Sequence, residues 1–518
     1  MSEAKRFPAG CVASPHYLAS STGLAVLAGG GNALDAAIAT NLTLGVVAPY
    51  MCGYGGDLFA IISVDDGLHA YNGSGRASAS ATPEAVRLAA GSDTMPGLGP
   101  LTVTVPGAVE AWFTLLERFG TRSFTELAAP ALSYARDGFP LNKQLVGYFN
   151  ALGDQYAADW AAAWREIYTN ASGDTRFRQP ALTRTILTLC DEGPQAFYAG
   201  DVAAAIVETV RSHGALMTSG DLADHRGEWV DTLSSMYRGV EVHQMPPNSQ
   251  GVVALEALNI VEGAELGEAE TADRHHLLIE STKLALADRE THVSDLEHMA
   301  IEPAELASKR WADERRGNID RSQASTPAAG RAAVGGTAYL CAADADGMLV
   351  SLIQSNYAGF GSGVTVADWG INLQNRGAYF SLDPDHVNVI APRKRTMHTL
   401  MPAIALRNGH PWLAFGTRGA DGQAQTQLQV LTRVIDDGRD IQDAVEAPRW
   451  VVSVEDWSVA VEADLPEEII EGLRARGHTV TTIPAKNPSL GPAQAIEVTA
   501  TGYAAASDPR TQGAALGL

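Results

Sequence analysis

The chain predicts an α/β fold in which sheets drawn from both ends are covered by helices. Three observations lead there. Strand-like runs lie near both ends, at Leu58 to Val64 and Leu68 to Tyr71 and again beyond Thr337, while helical signals dominate from about Phe124 to Arg316. No internal repeat divides the chain, and the one long stretch unfit for a core is Ser322 to Gly336, almost all Ala, Gly, Ser, Thr and Pro with Arg331 as its charge. That stretch suits a processing site better than a domain boundary.

Taken in order, Asn32 is an N-cap for a helix from Ala33 to Val47, with Asp35 in its first turn, an apolar surface almost all round, and Pro49 as its stop. That pattern predicts a buried helix. Gly53-Tyr54-Gly55-Gly56-Asp57 then reads as a tight turn into the strand Leu58 to Val64, since neither dinucleotide spacing nor a following Lys-Ser/Thr supports a phosphate loop. Asp65-Asp66-Gly67 closes a hairpin to Leu68 to Tyr71, and Gly73-Ser74-Gly75-Arg76 ends the sheet edge in a loop. Pro106-Gly107 introduces a helix with Val109, Trp112, Phe113 and Leu116 at helical spacing, ending at Gly120. In the helical middle His275, His276, Glu280 and Asp288 raise a metal reading. Two adjacent histidines diverge by about 100° on a helix, so the expectation is no metal.

Beyond the small-residue stretch, Ala338 to Ala343 and Met348 to Ser355 form a hairpin across Asp344-Ala345-Asp346-Gly347. Further strands are expected at Gly370 to Leu373, Ala403 to Leu406 and Pro411 to Phe415. Gly416 to Gly422 then leads into a helix from about Gln423 to Asp436, and helices at Ile441 to Ala447 and Pro466 to Arg476 and strands near Val480 and Ala504 follow. A glycine turn that opens a helix can present free backbone N–H groups to an oxyanion, or be an ordinary connection.

Composition narrows the function. A net charge of -23 argues against nucleic acid and anionic membranes as partners, so an anionic substrate must be held by a few placed arginines. Hydrophobic content of 46% and charged content of 19% describe an ordinary globular chain. The four cysteines (Cys11, Cys52, Cys190, Cys341) have neither disulfide-framework nor zinc spacing. No cofactor is implied. The first residues hold no apolar leader core and no run of about 18 apolar residues occurs, which makes a cytoplasmic location the expectation.

Thr337 is the first residue of the hairpin, directly after Gly335-Gly336. If the Gly336–Thr337 bond is broken, Thr337 gains an α-amine beside its own hydroxyl, and an amine of reference pKa about 8 can serve as general base for that hydroxyl. Glycines ahead of it would tolerate the backbone geometry that self-attack requires. A plain loop entering a sheet is the alternative.

These pieces together resemble the γ-glutamyltransferase family of N-terminal-nucleophile hydrolases over nearly the whole chain. The resemblance is carried by Gly30-Gly31-Asn32-Ala33-Leu34-Asp35-Ala36-Ala37, Gly55-Gly56, Val105-Pro106-Gly107, Asp288-Arg289, the Thr337 hairpin with Asp346-Gly347, Phe360-Gly361-Ser362-Gly363, and Asp508-Pro509-Arg510. It implies a four-layer αββα sandwich and self-cleavage into fragments 1–336 and 337–518 that remain together as a heterodimer, with further dimerisation left open. It implies Thr337 as nucleophile, Ser355 as the hydroxyl bonded to it, Gly419 and Ala420 at the oxyanion positions, and Arg76 as the grip on a substrate carboxylate.

The departures from the family pattern point to the substrate. Where relatives hold a donor's α-amino group, alignment on Phe360-Gly361 and Asn375 places Tyr357, Arg376 and Tyr379, and a pair of serines is replaced by His398 and Thr399. A guanidinium in place of a carboxylate disfavours an ammonium and favours an acyl group that carries only a carboxylate, such as glutaryl or oxalyl. The leading expectation is an amide hydrolase working through an acyl-Thr337 ester on a small amide. A γ-glutamyltransferase or glutathione hydrolase is the runner-up, and an unprocessed, non-catalytic relative is the reading from another class.

Overall fold

The computed structural model describes residues 2–65, 67–173, 175–327, 330 and 336–518, with the side chain of Gln144 left aside. The hairpin position Asp66 and the run Arg331 to Gly335 therefore lie outside the described residues, Gly335 of the predicted cleavage approach among them.

Two seven-stranded antiparallel sheets form the centre. The first runs Lys5–Phe7, Gly502–Ser507, Ala493–Thr499, His410–Thr417, Ala403–Arg407, Val240–Gln244 and Leu233–Tyr237. The second runs Ala514–Gly517, Cys11–Ser14, Gly336–Ala343, Leu349–Tyr357, Asp57–Val64, Gly67–Asn72 and Glu228–Val230. Both sheets thus mix strands from before and after Thr337.

The period of two along a strand sorts side chains into layers. Phe59, Ile61, Tyr339, Cys341 and Ile353 of the second sheet meet Ile404, Ala414 and Ile496 of the first in a core between the sheets. Their alternates Leu58, Ala60, Leu340 and Leu352 face the other way, onto Leu34, Ile38 and Leu42 of helix Ala33–Val47 and Trp112 of helix Ala108–Phe119. On the far side Ala403, Ala405, Leu413 and Phe415 pack against Leu255, Leu258, Leu277 and Leu428 of helices Gly251–Glu262, Ala272–His292 and Gly422–Ile435. Helices, sheet, sheet and helices make the four layers expected.

Helix Ala33–Val47 is buried along its whole length and opens with a capping box between Asn32 and Asp35. Three expectations need correction. Leu68 to Tyr71 does not end a sheet, because Glu228–Val230 pairs outside it. The helical middle contributes the strands Leu233–Tyr237 and Val240–Gln244; the first lies on the sheet edge, where partial exposure weakens the alternation that marks a strand, while the second alternates buried and half-buried between two neighbours. The strand at Gly370 to Leu373 shrinks to Ile371–Asn372, paired only with Thr365–Val366. Among the described residues no helix is long and apolar enough to cross a membrane.

Candidate active site

Thr337 sits at the N-terminal end of strand Gly336–Ala343, at a register shift between Gly336 and Ala338 against Leu349–Tyr357. A bulge of this kind re-aims a side chain at a sheet end. Thr337 is almost wholly buried, and its hydroxyl donates to Ser355 Oγ at 3.1 Å. Ser355 Oγ in turn donates to the Gly336 carbonyl at 2.6 Å and accepts from the Tyr357 N–H at 2.7 Å. One hydroxyl therefore touches the attacking oxygen and polarises the carbonyl that precedes it. Gly336 takes no left-handed φ; its lack of a side chain serves space, since a Cβ there would lie 2.3 Å from the Tyr50 carbonyl oxygen. The reason for glycine is close packing rather than backbone freedom.

Tyr357 and Tyr379 frame Arg376. The guanidinium lies over the Tyr357 ring at 4.4 Å and the Tyr379 ring at 5.8 Å, an arrangement favourable to a cation. Arg376 is 1% exposed, and its Nη1 donates to Thr399 Oγ1 at 2.9 Å. Its Nε and Nη2 are buried with no hydrogen-bond partner among the described residues. A buried cation with an open pair of donors is costly unless an anion meets it. Side by side, Nε and Nη2 form the edge that grips a carboxylate with two parallel bonds.

Asp57 and His398 lie behind this group. Asp57 stands in register with Ser355, and its Oδ2 is 3.1 Å from His398 Nε2. His398 Nδ1 accepts from the Leu400 N–H at 3.2 Å, which leaves the proton on Nε2 to donate to Asp57. The other oxygen, Oδ1, accepts from the N–H groups of Gly75 and Gly107. Burial pushes the Asp57 carboxyl up to about 7 against the pull of Arg376, and burial with nearby Arg376 and Arg395 keeps His398 neutral.

Gly419 and Ala420 bridge strand His410–Thr417 and helix Gly422–Ile435 with φ of 122° and 48°. Their carbonyls accept from Gly422 and Gln423, and among the described residues neither of their own N–H groups has a partner. Two open amides at a helix start can stabilise developing negative charge. The turn is held from behind. Gln250 Nε2 donates to the Ala420 carbonyl at 2.9 Å and Gln250 Oε1 accepts from Arg289, while Asp421 Oδ1 accepts from Arg289 at 2.5 Å and from the Tyr379 hydroxyl at 2.8 Å.

The sequence reading assigns the carboxylate grip to Arg76 together with Arg376. Arg76 is partly exposed and commits its donors to Glu228 at 2.7 Å, Asp295 at 3.4 Å and the Arg393 carbonyl at 3.1 Å. A substrate carboxylate at Arg76 must compete with two carboxylates; one at Arg376 meets none that bonds it. Sequence reasoning missed Asp57, Gln250 and Asp421. A charged residue directly after Gly55-Gly56 and directly before an apolar strand is the signal that marks Asp57.

Of the candidate metal residues, His275 is bonded to Glu270 and Trp450, and Asp288 to Arg315 and Trp311. His276 and Glu280 do converge, with His478 as the third member that sequence proximity could not reveal.

Comparison with known proteins follows the same lines. Residues 19–518 match the family described as Gamma-glutamyltranspeptidase. The chain is 38% identical over 522 residues to the "Glutathione hydrolase-like YwrD proenzyme" of Bacillus subtilis (strain 168), covering 98% of each. It is 35% identical over 525 residues to the "Oxamate amidohydrolase proenzyme" of Klebsiella pneumoniae, again covering 98% of each. The crystal structure of cephalosporin acylase from Bacillus halodurans superposes with a TM-score of 0.95 at 39% identity, over 100% of this chain and 97% of that one.

Proposed function

The chain belongs to the gamma-glutamyltranspeptidase family, and from that membership we propose that it hydrolyses small amides whose acyl group ends in a carboxylate, with Thr337 as nucleophile. The observation that carries the substrate class is Arg376, buried between two tyrosines with Nε and Nη2 open. The name of the Klebsiella relative agrees, since the acyl half of oxamate is an oxalyl group bearing a carboxylate.

Cleavage precedes turnover. Thr337 Oγ attacks the Gly336 carbonyl carbon that Ser355 polarises, the C–N bond breaks in favour of an ester, and water hydrolyses the ester to a Gly336 carboxylate and a free Thr337 amine. In turnover that amine takes the hydroxyl proton as Oγ attacks the substrate amide. The N–H groups of Gly419 and Ala420 hold the oxyanion, a contribution worth roughly 2.7 to 4 kcal/mol per donor in a comparable site. The protonated amine then releases the leaving amine, and water frees the acid.

γ-Glutamyl amides are the competing substrates, differing from glutaryl amides only in an α-amino group. At about 4 Å and an effective dielectric near 20 an ammonium beside a guanidinium is disfavoured by up to roughly 4 kcal/mol. Glutaryl should therefore lead in kcat/KM by at least about tenfold, which needs roughly 1.4 kcal/mol. Arg376→Gln should narrow the gap. Preference of the wild type for γ-glutamyl, unchanged in Arg376→Gln, would replace this reading with a γ-glutamyltransferase.

A further inference from the structure

Glu280 and Lys283, at i and i+3 on helix Ala272–His292, form an ion pair at 2.9 Å with side chains 1% and 2% exposed. Neither has a part in the reaction site. A buried pair stays costly unless its remaining donors and acceptors are met. Here they are met by the main chain of one residue: the Ser325 N–H donates to Glu280 Oε2 at 2.9 Å, and the Ser325 carbonyl accepts from Lys283 Nζ at 2.8 Å.

Two histidines complete the arrangement, and their tautomers follow from their partners. The Asp320 carbonyl can only accept, so His276 Nε2 carries the proton across 2.8 Å. His276 Nδ1 then accepts from His478 Nε2 at 2.8 Å, and His478 Nδ1 faces Lys283 Nζ at 3.5 Å. The Lys283 ammonium thus pairs with two of the three groups that could ligate a metal ion, His478 and Glu280, and the cluster grips peptide instead. More backbone contacts extend the grip. Ala324 N–H donates to the Arg476 carbonyl at 2.7 Å, Trp457 Nε1 to the Pro327 carbonyl at 2.9 Å, and Gly330 N–H to the Val454 carbonyl at 2.8 Å.

We infer that the residues from Asp320 to Pro327, together with Gly330, are clasped so that they hold the approach to the Gly336–Thr337 bond in place for self-cleavage and stay docked after the bond is cut. This rests on the Thr337 reading. The clasp is built from both sides of that bond: Glu280, Lys283 and His276 precede it, and Val454, Trp457, Arg476 and His478 follow it. Departure of the segment would leave Glu280 and Lys283 buried without their backbone partners, which opposes release. The chain from Gly330 to Gly336 spans at most about 20 Å, so a clasped Gly330 confines where the scissile carbonyl can sit. Lys283 and Glu280 are positioning residues in this account; they touch no reacting atom.

The test uses full-length protein with Lys283→Met, and with Ser325→Pro, which removes the gripped N–H while leaving both members of the buried pair unsubstituted. Processing is followed by intact mass, turnover is measured on fully processed protein, and the new C-terminus is trimmed with a carboxypeptidase. Expected are trimming of the wild type that halts near Gly330, processing slowed at least tenfold in both variants, and trimming in both that runs past Ser325. Processed protein should turn over within about twofold of wild type. Wild type trimmed through Asp320 without a pause, or both variants processed at the wild-type rate, overturns the inference while leaving Thr337 in place. Wild type that is never cut before Thr337 overturns both, and N-terminal sequencing of the fragments tells the two failures apart. If Lys283→Met does not fold, Ser325→Pro decides.

Discussion

Asp57 lies directly across the ladder from Ser355, so a carboxyl pushed up to about 7 by burial sits beside the hydroxyl that touches Thr337. The groups that face it are His398, the N–H groups of Gly75 and Gly107, and the charges of Arg376 and Arg395. An acyl carboxylate docked on Arg376 adds a second negative charge, which raises the proton affinity of Asp57 further. KM for a glutaryl amide should therefore rise severalfold as pH climbs from about 6 to about 8 and Asp57 ionises. Asp57→Asn should flatten that profile. A KM profile identical in wild type and variant would detach Asp57 from substrate binding.

Thr337→Ala should abolish both cleavage and turnover, because one oxygen is assigned to both attacks, and Thr337→Ser should keep part of each. Ser355→Ala should slow cleavage by at least about tenfold, since it removes the donor to the Gly336 carbonyl, a loss of roughly 1.4 kcal/mol or more. Mass spectrometry of freshly made and aged protein reads both. Normal fragments from Thr337→Ala would show the nucleophile to be misassigned.

Gly75 and Gly107 cross back to back where they deliver their N–H groups to Asp57. A Cβ on Gly75 would lie 1.6 Å from the Val105 carbonyl oxygen, and one on Gly107 1.7 Å from that of Gly73. Backbone cannot yield as a flexible side chain can, so Gly107→Ala should destabilise the protein by about 3 kcal/mol or more. Denaturant unfolding of the Thr337→Ala background, a single chain, gives the measurement; an unchanged midpoint would contradict the packing described.

Acid should weaken the fold before carboxylates are protonated in bulk. Burial lowers His478 to about 3, with Lys283 adding to the effect, and it lowers His225 to about 3 and His16 to about 4. A folded pKa below the unfolded value of about 6.5 gives stability that is complete above that value and is lost as pH falls toward the folded pKa. Asp57 acts with the opposite sign, since its raised pKa favours the folded state as pH falls below about 7. Burial likewise lowers His69, His243, His275, His276, His292 and His398, and it raises Glu256, Asp344 and Asp436 alongside Asp57, so nine histidines stand against four carboxyls and Tm should drop between pH 7 and pH 5. A Tm that holds or rises over that interval would mean that these imidazoles are not kept neutral.

Much of this molecule is legible in its sequence. The burial of Ala33–Val47 could be read from a surface apolar almost all round, with Asp35 in the first turn as its one charge, and the hairpin at Thr337 from the turn chemistry of Asp344-Ala345-Asp346-Gly347 between two apolar runs. Edge strands were not legible, because Leu233–Tyr237 and Glu228–Val230 pair on one side only and carry mixed side chains on both faces. Arg376 and Tyr379 could be suspected from position alone, yet the open edge of the guanidinium depends on where Thr399 takes up the third nitrogen. His478 joins His276 from 202 residues away in the sequence. No local pattern encodes such a meeting, as it is set by how the Ala272–His292 helix packs against the segment following Glu467–Ala475.

The strand order has a consequence for lifetime. If the bond before Thr337 is cut as proposed, Cys11–Ser14 still lies between Ala514–Gly517 and Gly336–Ala343, Asp57–Val64 still pairs with Leu349–Tyr357, and in the other sheet Lys5–Phe7 and Val240–Gln244 still pair with Gly502–Ser507 and Ala403–Arg407, so both sheets are shared between the two fragments. No fragment can leave without opening several ladders at once, and a fragment that has left must find its partner again by collision. Unfolding then ceases to be an equilibrium of one chain with itself. The durability of the cut protein becomes a matter of how seldom it opens, and its recovery a matter of concentration.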